Sequence, residues 1–193
     1  MKKYKILFFF ILFTLLFSNN FSYSADKGSK KEKFDRKEMV DKAKIYFADL
    51  SEGVGIIIER SFNDFGQPSA YIEGEEFSGA FFGGLRYGGG KVYFKDGTVK
   101  DVYWNGPSIG LDLGANASRV FTLIYNLEVE DLNKLYVRFP DVEGTLYFAA
   151  GLAINYQKKD GIIITPVRSG IGLRAGVNLG YTKYTMKKSL IPF

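Results

Sequence analysis

The chain has 193 residues, of which 46% are hydrophobic, and a formal net charge of +5 at pH 7. It has no cysteine, which excludes disulfide bonds, and no histidine, which removes the usual metal ligand and the usual proton carrier near neutral pH. Carboxylates, lysine, tyrosine, serine and threonine are left for chemistry. We therefore expect a protein that is not an enzyme and that uses no metal or cofactor.

The amino terminus has the three-part pattern of a secretory signal peptide. Lysine-rich residues 1–5 precede an apolar run over residues 6–17, and the small-x-small triplet Ser22-Tyr23-Ser24 follows. A spanning helix needs about 20 apolar residues, and this run is shorter. We predict that residues 1–24 are removed on export. Their removal takes three lysines away, so the basic excess is weak and nucleic acid is not an expected partner.

Residues 25–37 are rich in Lys, Glu and Asp, a composition that predicts a flexible lead-in. The length of residues 38–193 suits one hydrophobic core, so we predict a single domain there. A short amphipathic helix is predicted over residues 36–50, because apolar residues recur there at helical intervals, and Ser51 and Gly53 end it.

From residue 55 onward the pattern favours strands. The β-branched run Ile56-Ile57-Ile58 predicts a strand over residues 55–61, and Asp96-Gly97 predicts a two-residue hairpin. Residues 119–127 are apolar on both faces, which is typical of a strand covered on both sides. Further strands are predicted over residues 108–113, 145–157, 162–167 and 173–182, with a polar turn at residues 158–161, and a second short helix is predicted over residues 129–139.

Twenty-two glycines, many inside strand patterns, indicate strongly bent strands. The predicted fold class is mainly β, a small closed antiparallel β-barrel of about nine or ten strands with two short helices. The glycine clusters at residues 79–84, 88–90 and 170–176 have neither the dinucleotide fingerprint nor the P-loop spacing, so we assign them to strand geometry.

Four arginines, Arg86, Arg119, Arg168 and Arg174, lie in or beside apolar or glycine-rich strand patterns, where a charge needs a partner. One interpretation is buried pairing with nearby acids. The other is a cationic rim that holds phosphate or carboxylate groups of an envelope component. The predicted ligand-binding residues are Arg86, Trp104, Asp112, Arg119, Arg168 and Arg174.

A carboxylate-based glycan hydrolase is an alternative, because Glu73, Glu75, Glu76 and Asp112 could supply its acid and its nucleophile or base. Strand alternation puts Glu73 and Glu75 on one face and Glu76 on the other. Nothing in the sequence brings Asp112 beside them.

Several longer motifs resemble those of a known family. They are GIIIER (residues 55–60), FGQP (65–68), AYIEGEE (70–76), GLRYG (84–88), VYW (102–104), GPSIG (106–110), DLGANASRVF (112–121), RFP (138–140), VEG (142–144), NYQ (155–157) and RSG (168–170). Over about residues 40–185 the chain resembles the envelope integrity protein A (EipA) family of Gram-negative bacteria. The charged lead-in and the Lys187-Lys188 pair depart from the family pattern.

The resemblance implies an exported, soluble, small β-barrel of the periplasm that supports cell-envelope integrity, with no established enzymatic activity or ligand and no catalytic residues to transfer. Residues 106–126 are also similar to the glycine-rich core of lipid-binding SYLF domains. The leading hypothesis is a non-catalytic barrel that holds a lipid or cell-wall fragment in its lumen or at an arginine-lined mouth. The alternatives are an outer-membrane pore, for which Phe193 resembles the terminal aromatic residue of such barrels, and the glycan hydrolase.

Overall fold

The computed structural model describes residues 32–79, 84–107, 116–169 and 180–189. The predicted signal peptide, the predicted strand at residues 108–113 and the glycine cluster at residues 170–176 lie outside the described residues, as does most of the cluster at residues 79–84. Residues Glu32–Phe193 form one compact unit.

Two α-helices begin the described chain. Helix α1 spans Arg36–Phe47 and a 3-10 turn, Ala48–Leu50, joins it to helix α2 at Ser51–Phe65. Asp35 caps α1 by accepting a hydrogen bond from the Glu38 backbone at 2.9 Å. The predicted helix over residues 36–50 is confirmed as α1 and its turn. Phe34 is only 3% exposed, so the packed domain starts inside the segment that we predicted as a lead-in.

The predicted strand over residues 55–61 is wrong, because these residues lie in α2. The β-branched run suggested a strand, but the buried residues follow helical spacing. Val54, Ile57, Ile58, Ser61 and Phe62 are all buried, at positions i, i+3, i+4, i+7 and i+8. Packing of this face therefore outweighs the modest strand preference of isoleucine.

Within the described ranges, ten antiparallel strands form one curled sheet. They are β1 Ala70–Gly79, β2 Leu85–Phe94, β3 Val99–Pro107, β4 Asn116–Tyr125, β5 Arg138–Pro140, β6 Tyr147–Ala149, β7 Leu152–Ile154, β8 Gln157–Lys159, β9 Ile162–Ser169 and β10 Tyr181–Thr185. The spatial order is β5-β10-β3-β2-β1-β4-β9-β7-β6, and β8 also pairs with β9.

The predicted fold class, mainly β with nine or ten antiparallel strands, is confirmed, but the predicted closed barrel is not fully closed. The sheet is a curled half-barrel. Where the chain after β5 meets β8, backbone pairing among the described residues is limited to an isolated bridge, Asp141 to Gln157, with a hydrogen bond from the Val142 backbone to the Tyr156 carbonyl at 2.8 Å. We call this narrow contact the seam.

Both Asp-Gly dipeptides form hairpins, with different loops. Asp160-Gly161 is a two-residue turn with positive φ at both positions, 49° and 82°, between β8 and β9. The hairpin predicted at Asp96-Gly97 is confirmed, but its loop has three residues, since Phe94 pairs with Thr98 and Gly97 takes a φ of 88°. An extra residue before the glycine gives the bulged loop.

Two further predicted elements differ from the structure. The predicted strand over residues 145–157 is divided into β6 and β7, because Ala150 and Gly151 take positive φ and turn the chain back on itself. The predicted helix over residues 129–139 is a 3-10 helix, Val129–Leu135, followed by β5. Phe139 is buried from that strand.

The two faces of the sheet enclose two cores. The outer core lies between the helices and the convex face, and the inner core lies within the curl. Strand β4 contributes Phe121, Leu123 and Tyr125 to the outer core and Val120 and Ile124 to the inner one, which confirms the prediction of a strand covered on both sides. Within the described ranges, no helix has the length and apolar character needed to cross a membrane.

Candidate functional site

Three of the six predicted site residues meet inside the curled sheet. Arg86 on β2, Trp104 on β3 and Arg168 on β9 surround Glu76 on β1, and these residues are only 2–5% exposed. Each points inward because successive residues of a strand alternate between the faces. The interior cluster, as we call it, comprises Glu76, Arg86, Trp104, Asp141, Asn155, Gln157, Arg168, Thr182 and Tyr184.

Glu76 is the centre of one half of the interior cluster. The Trp104 indole donates to its Oε2 at 2.8 Å, and Nε of Arg168 donates to its Oε1 at 3.1 Å. Nε of Arg86 lies 4.0 Å from Oε2, an ion pair without a hydrogen bond. Glu76 therefore faces two guanidiniums and an indole N–H, which are the partners a buried carboxylate requires.

Asp141 is the centre of the other half. Its Oδ1 accepts hydrogen bonds from the side-chain amides of Asn155 at 2.7 Å and Gln157 at 2.8 Å. Its Oδ2 has no hydrogen-bond partner among the described residues and lies 3.9 Å from Nη2 of Arg86. Arg168 links the halves, because its Nη1 donates to Oδ1 of Asn155 at 2.8 Å.

Hydroxyl groups complete the network. Thr182 accepts hydrogen bonds from Nη2 of Arg86 and from Nε2 of Gln157, both at 2.6 Å. The Tyr184 hydroxyl donates to Oε1 of Gln157 at 3.1 Å. The two arginines and the two acids balance in charge, so the cluster is a compensated network.

The protonation states follow from burial and neighbouring charge. Burial by itself would raise the pKa of Glu76, but Arg168 and Arg86 hold that pKa below its usual value, so the carboxylate is ionised at neutral pH. Burial raises the pKa of the Tyr184 hydroxyl far above its usual value, so Tyr184 stays protonated. For Arg168, attraction to Glu76 outweighs burial and its pKa is raised.

Gly88 leaves the space that the Trp104 ring occupies. A Cβ at Gly88, directly across from Trp104 in the sheet, would lie 2.1 Å from Cε2 of the indole. Only a residue without a side chain lets the ring lie against β2. The glycines at residues 88–90 therefore serve strand geometry, as predicted.

The remaining predicted site residues do not join the cluster. Arg119 is exposed on β4 and donates to the Tyr46 carbonyl at 3.3 Å. Asp112 and Arg174 lie outside the described residues. For Arg86 and Arg168 the structure gives buried pairing, the first of the two interpretations.

Sequence analysis missed the second half of the interior cluster: Asp141, Asn155, Gln157, Thr182 and Tyr184. A usable signal was present, since Asn155 and Gln157 are amides within a mostly apolar stretch. The sequence could not predict the partners of these amides, because Asn155 pairs with Arg168 on a different strand. The alternation predicted for the glutamates is confirmed, with Glu76 turned inward. The described residues contain no group of three acidic side chains that could hold a metal ion.

Comparisons with known proteins agree with this architecture. A model of the family described as envelope integrity protein A (EipA) matches residues 32–193. The crystal structure of a protein from Brucella abortus described as beta-barrel-like and uncharacterized is 42% identical, with a TM-score of 0.75, and the match covers 83% of this chain and 99% of that chain. No curated protein matches the chain.

Proposed function

Since the chain belongs to the envelope integrity protein A (EipA) family, we propose that it is a non-catalytic periplasmic protein that supports the cell envelope by binding one of its components. An envelope-related role follows from the family. The periplasmic location rests on the pattern of a signal peptide at residues 1–24.

The interior cluster is the observation that supports a non-catalytic role. Its two arginines and two carboxylates neutralise each other, and their side chains are at most 6% exposed. Glu76 stays ionised and Tyr184 stays protonated near neutral pH, so neither has the pKa of a general acid or base there. Such a network orders the sheet instead of performing a reaction.

The same packing bears on where a ligand binds. Within the described residues the inside of the curl is filled by the interior cluster and by apolar side chains, among them Ile72, Val102 and Phe139, each 0% exposed. We infer that an envelope component binds on the outside of the sheet and not in a lumen.

A deletion strain tests the proposed function. We expect it to become sensitive to osmotic shock and detergent, with recovery when the full chain is supplied and none when residues 2–24 are deleted. Equal expression of both forms, checked by immunoblot, is the control. Unchanged sensitivity of the deletion strain would contradict the role in the envelope.

Two alternatives have their own tests. An outer-membrane pore needs an outer surface that faces lipid, yet helices α1 and α2 cover Tyr71, Phe121 and Leu123 on that face. The pore would require detergent for extraction, whereas we expect release by osmotic shock. A glycan hydrolase acting through Glu75 or Asp112 would clear wall material in a zymogram, and we expect no clearing.

A further inference from the structure

A cleft of about 470 Å³ lies on the outer face of the sheet, over β1, β2 and β3. Its walls include Glu75, Phe77, Tyr87, Tyr103 and Lys188. Each strand residue among them is the chain neighbour of a residue in the interior cluster. Because strand neighbours point to opposite faces, these side chains point away from the interior cluster. Trp104 is the one member of that cluster that also lines the cleft, beside Gly88.

Strand register gives the cleft its shape. Glu75, Gly89 and Tyr103 are direct cross-strand neighbours and form one row, and Phe77 and Tyr87 form the next. Gly89, in the middle of the first row, has no side chain to cover the backbone. A Cβ at Gly89 would lie 2.9 Å from Cδ1 of Tyr103, so the tyrosine ring leans over the glycine. The floor is therefore flat and flanked by aromatic rings.

The segment after β10 supplies a further wall. The side-chain amide of Asn105, itself 1% exposed, donates to the Ser189 carbonyl at 3.0 Å and fixes this segment beside β3. The Lys188 ammonium lies 6.0 Å from the centroid of the Tyr103 ring. A cation thus lies near the β3 side of the cleft and a carboxylate, Glu75, lies on β1.

Glu75 lies directly across from Arg119 on β4. Among the described residues Glu75 and Lys188 form no ion pair, and both are exposed. Their charges are available to a ligand, in contrast to the compensated charges of the interior cluster. The cleft volume falls in the range of about 300–1,000 Å³ that is typical of ligand pockets.

We propose that this cleft binds a pyranose ring that carries an acidic group, as part of an envelope glycan. The apolar C–H face of such a ring stacks on aromatic side chains, its hydroxyl or amide groups donate to Glu75, and its acid pairs with Lys188. An acyl chain fits less well. It would remove the charges of Glu75 and Lys188 from water without replacing their hydrogen bonds, and Phe77 remains 47% exposed at the opening.

This inference deepens the proposed function and rests on it for the source of the glycan. Experiments can contradict the envelope role and the saccharide binding independently of each other. A deletion strain with normal sensitivity would contradict the role in the envelope and leave saccharide binding by the purified protein unaffected.

The test is calorimetric titration of the protein, purified as the cell produces it, with three probes. They are the acidic disaccharide N-acetylglucosaminyl-N-acetylmuramic acid, the neutral disaccharide N,N′-diacetylchitobiose, and phosphatidylglycerol vesicles. We expect the acidic disaccharide to bind about three- to tenfold more tightly than the neutral one at low salt, with the difference shrinking as salt is added. We expect no binding to vesicles.

Matched variants assign the binding to the cleft. Phe77→Ala removes a half-exposed ring and should weaken both disaccharides by about tenfold or more. Phe148→Ala, at a ring 42% exposed on β6 and outside the cleft, should leave affinity unchanged. Lys188→Gln should abolish the preference for the acidic probe, while Lys187→Gln, at the preceding exposed residue, should retain it.

Several results would overturn the proposal. They are no disaccharide binding at millimolar concentration, equal effects of Phe77→Ala and Phe148→Ala, or vesicle binding that is lost in Lys188→Gln. The last result would assign the cleft to a lipid surface. Thermal unfolding of each variant checks that the fold is retained, which we expect because the substituted side chains are exposed.

Discussion

Glu76 is held in the interior by partners that come from three other strands. Arg168 on β9, Trp104 on β3 and Arg86 on β2 all face its carboxylate. Removing charged groups from water is unfavourable, and close pairing offsets that loss only while every partner is present. The interior cluster therefore makes the sheet sensitive to single changes that leave an unpaired charge.

Glu76→Gln tests this dependence. The variant leaves two buried guanidiniums with one carboxylate between them, and we expect the free energy of unfolding to fall by about 3–5 kcal/mol. Urea denaturation measures it. Glu75→Gln, one residue away on the exposed face, should change stability by about 0.5 kcal/mol or less. Similar losses for the two variants would contradict the assignment.

The same carboxylate predicts a pH dependence. Its folded pKa is depressed, so its stabilising contribution is fully present above the unfolded pKa of about 4.3 and is lost as the pH falls through the folded pKa. We expect the free energy of unfolding of the natural protein to decline below about pH 4.3, and the decline to be smaller in Glu76→Gln. Urea titrations from neutral to acidic pH measure both. Parallel curves would show that other groups cause the decline.

Gly88 is the second single residue on which the interior depends. Gly88→Ala would drive a methyl group into the Trp104 indole, so we expect a loss of about 1–3 kcal/mol or more and a red-shifted emission from the only tryptophan. Gly55→Ala is the control, since a Cβ there meets nothing within 4 Å and alanine favours the helix. An unshifted spectrum in Gly88→Ala would contradict the close contact.

At the scale of elements, α2 shows how packing overrides local preference. Its three consecutive isoleucines are typical of strands. In a strand Ile56 and Ile58 would share a face, whereas in the helix Ile57 and Ile58 are buried and Ile56 is 49% exposed. Gly53 also has a packing role, because a Cβ there would lie 2.5 Å from the Ala149 carbonyl oxygen. The sequence of α2 therefore fits close packing of this helix against the sheet.

The isoleucine run supplies its own test. Ile57→Ala should lower the free energy of unfolding by about 2–5 kcal/mol because it opens a cavity in the outer core. Ile56→Ala should change it by about 0.5 kcal/mol or less. Chemical denaturation of both variants measures the difference. A larger loss for Ile56→Ala would favour a strand at this position.

On the scale of the whole molecule, pairing is uneven around the sheet. Strand β1 is paired along most of its length with β2 on one side and β4 on the other. In the part of the chain that the structure describes, the far edge is the three-residue β6, which pairs with β7 alone, and the seam has a single backbone bridge. Local opening therefore needs least free energy at β6 and at the seam.

Hydrogen–deuterium exchange tests this gradient. We expect peptides of β6 and the seam to exchange first and peptides of β1 and β4 last, because the latter open only on global unfolding. Peptides from α2 are a useful internal standard for the outer core. Uniform protection around the sheet would indicate a barrel closed more firmly than the seam suggests.

The sequence by itself determined what depends on residues close together in the chain. Most of the period-two strands, the hairpin at Asp96-Gly97, the turn at residues 158–161, the two faces of β4 and the opposite orientation of Glu75 and Glu76 could be predicted, because backbone geometry relates neighbouring residues directly. The family resemblance was readable for the same reason, since its motifs are short runs of residues.

Only the tertiary structure decided which distant residues meet. Arg168 and Glu76 are 92 positions apart, and Arg86 and Thr182 are 96 apart, so no local pattern joins them. The isoleucine run is helical because the apolar face of α2 packs against the sheet. The barrel has a seam because β5 and β8 have only three residues each. Pairing across the curl depends on how strands are ordered in space, and that order is a property of the whole chain.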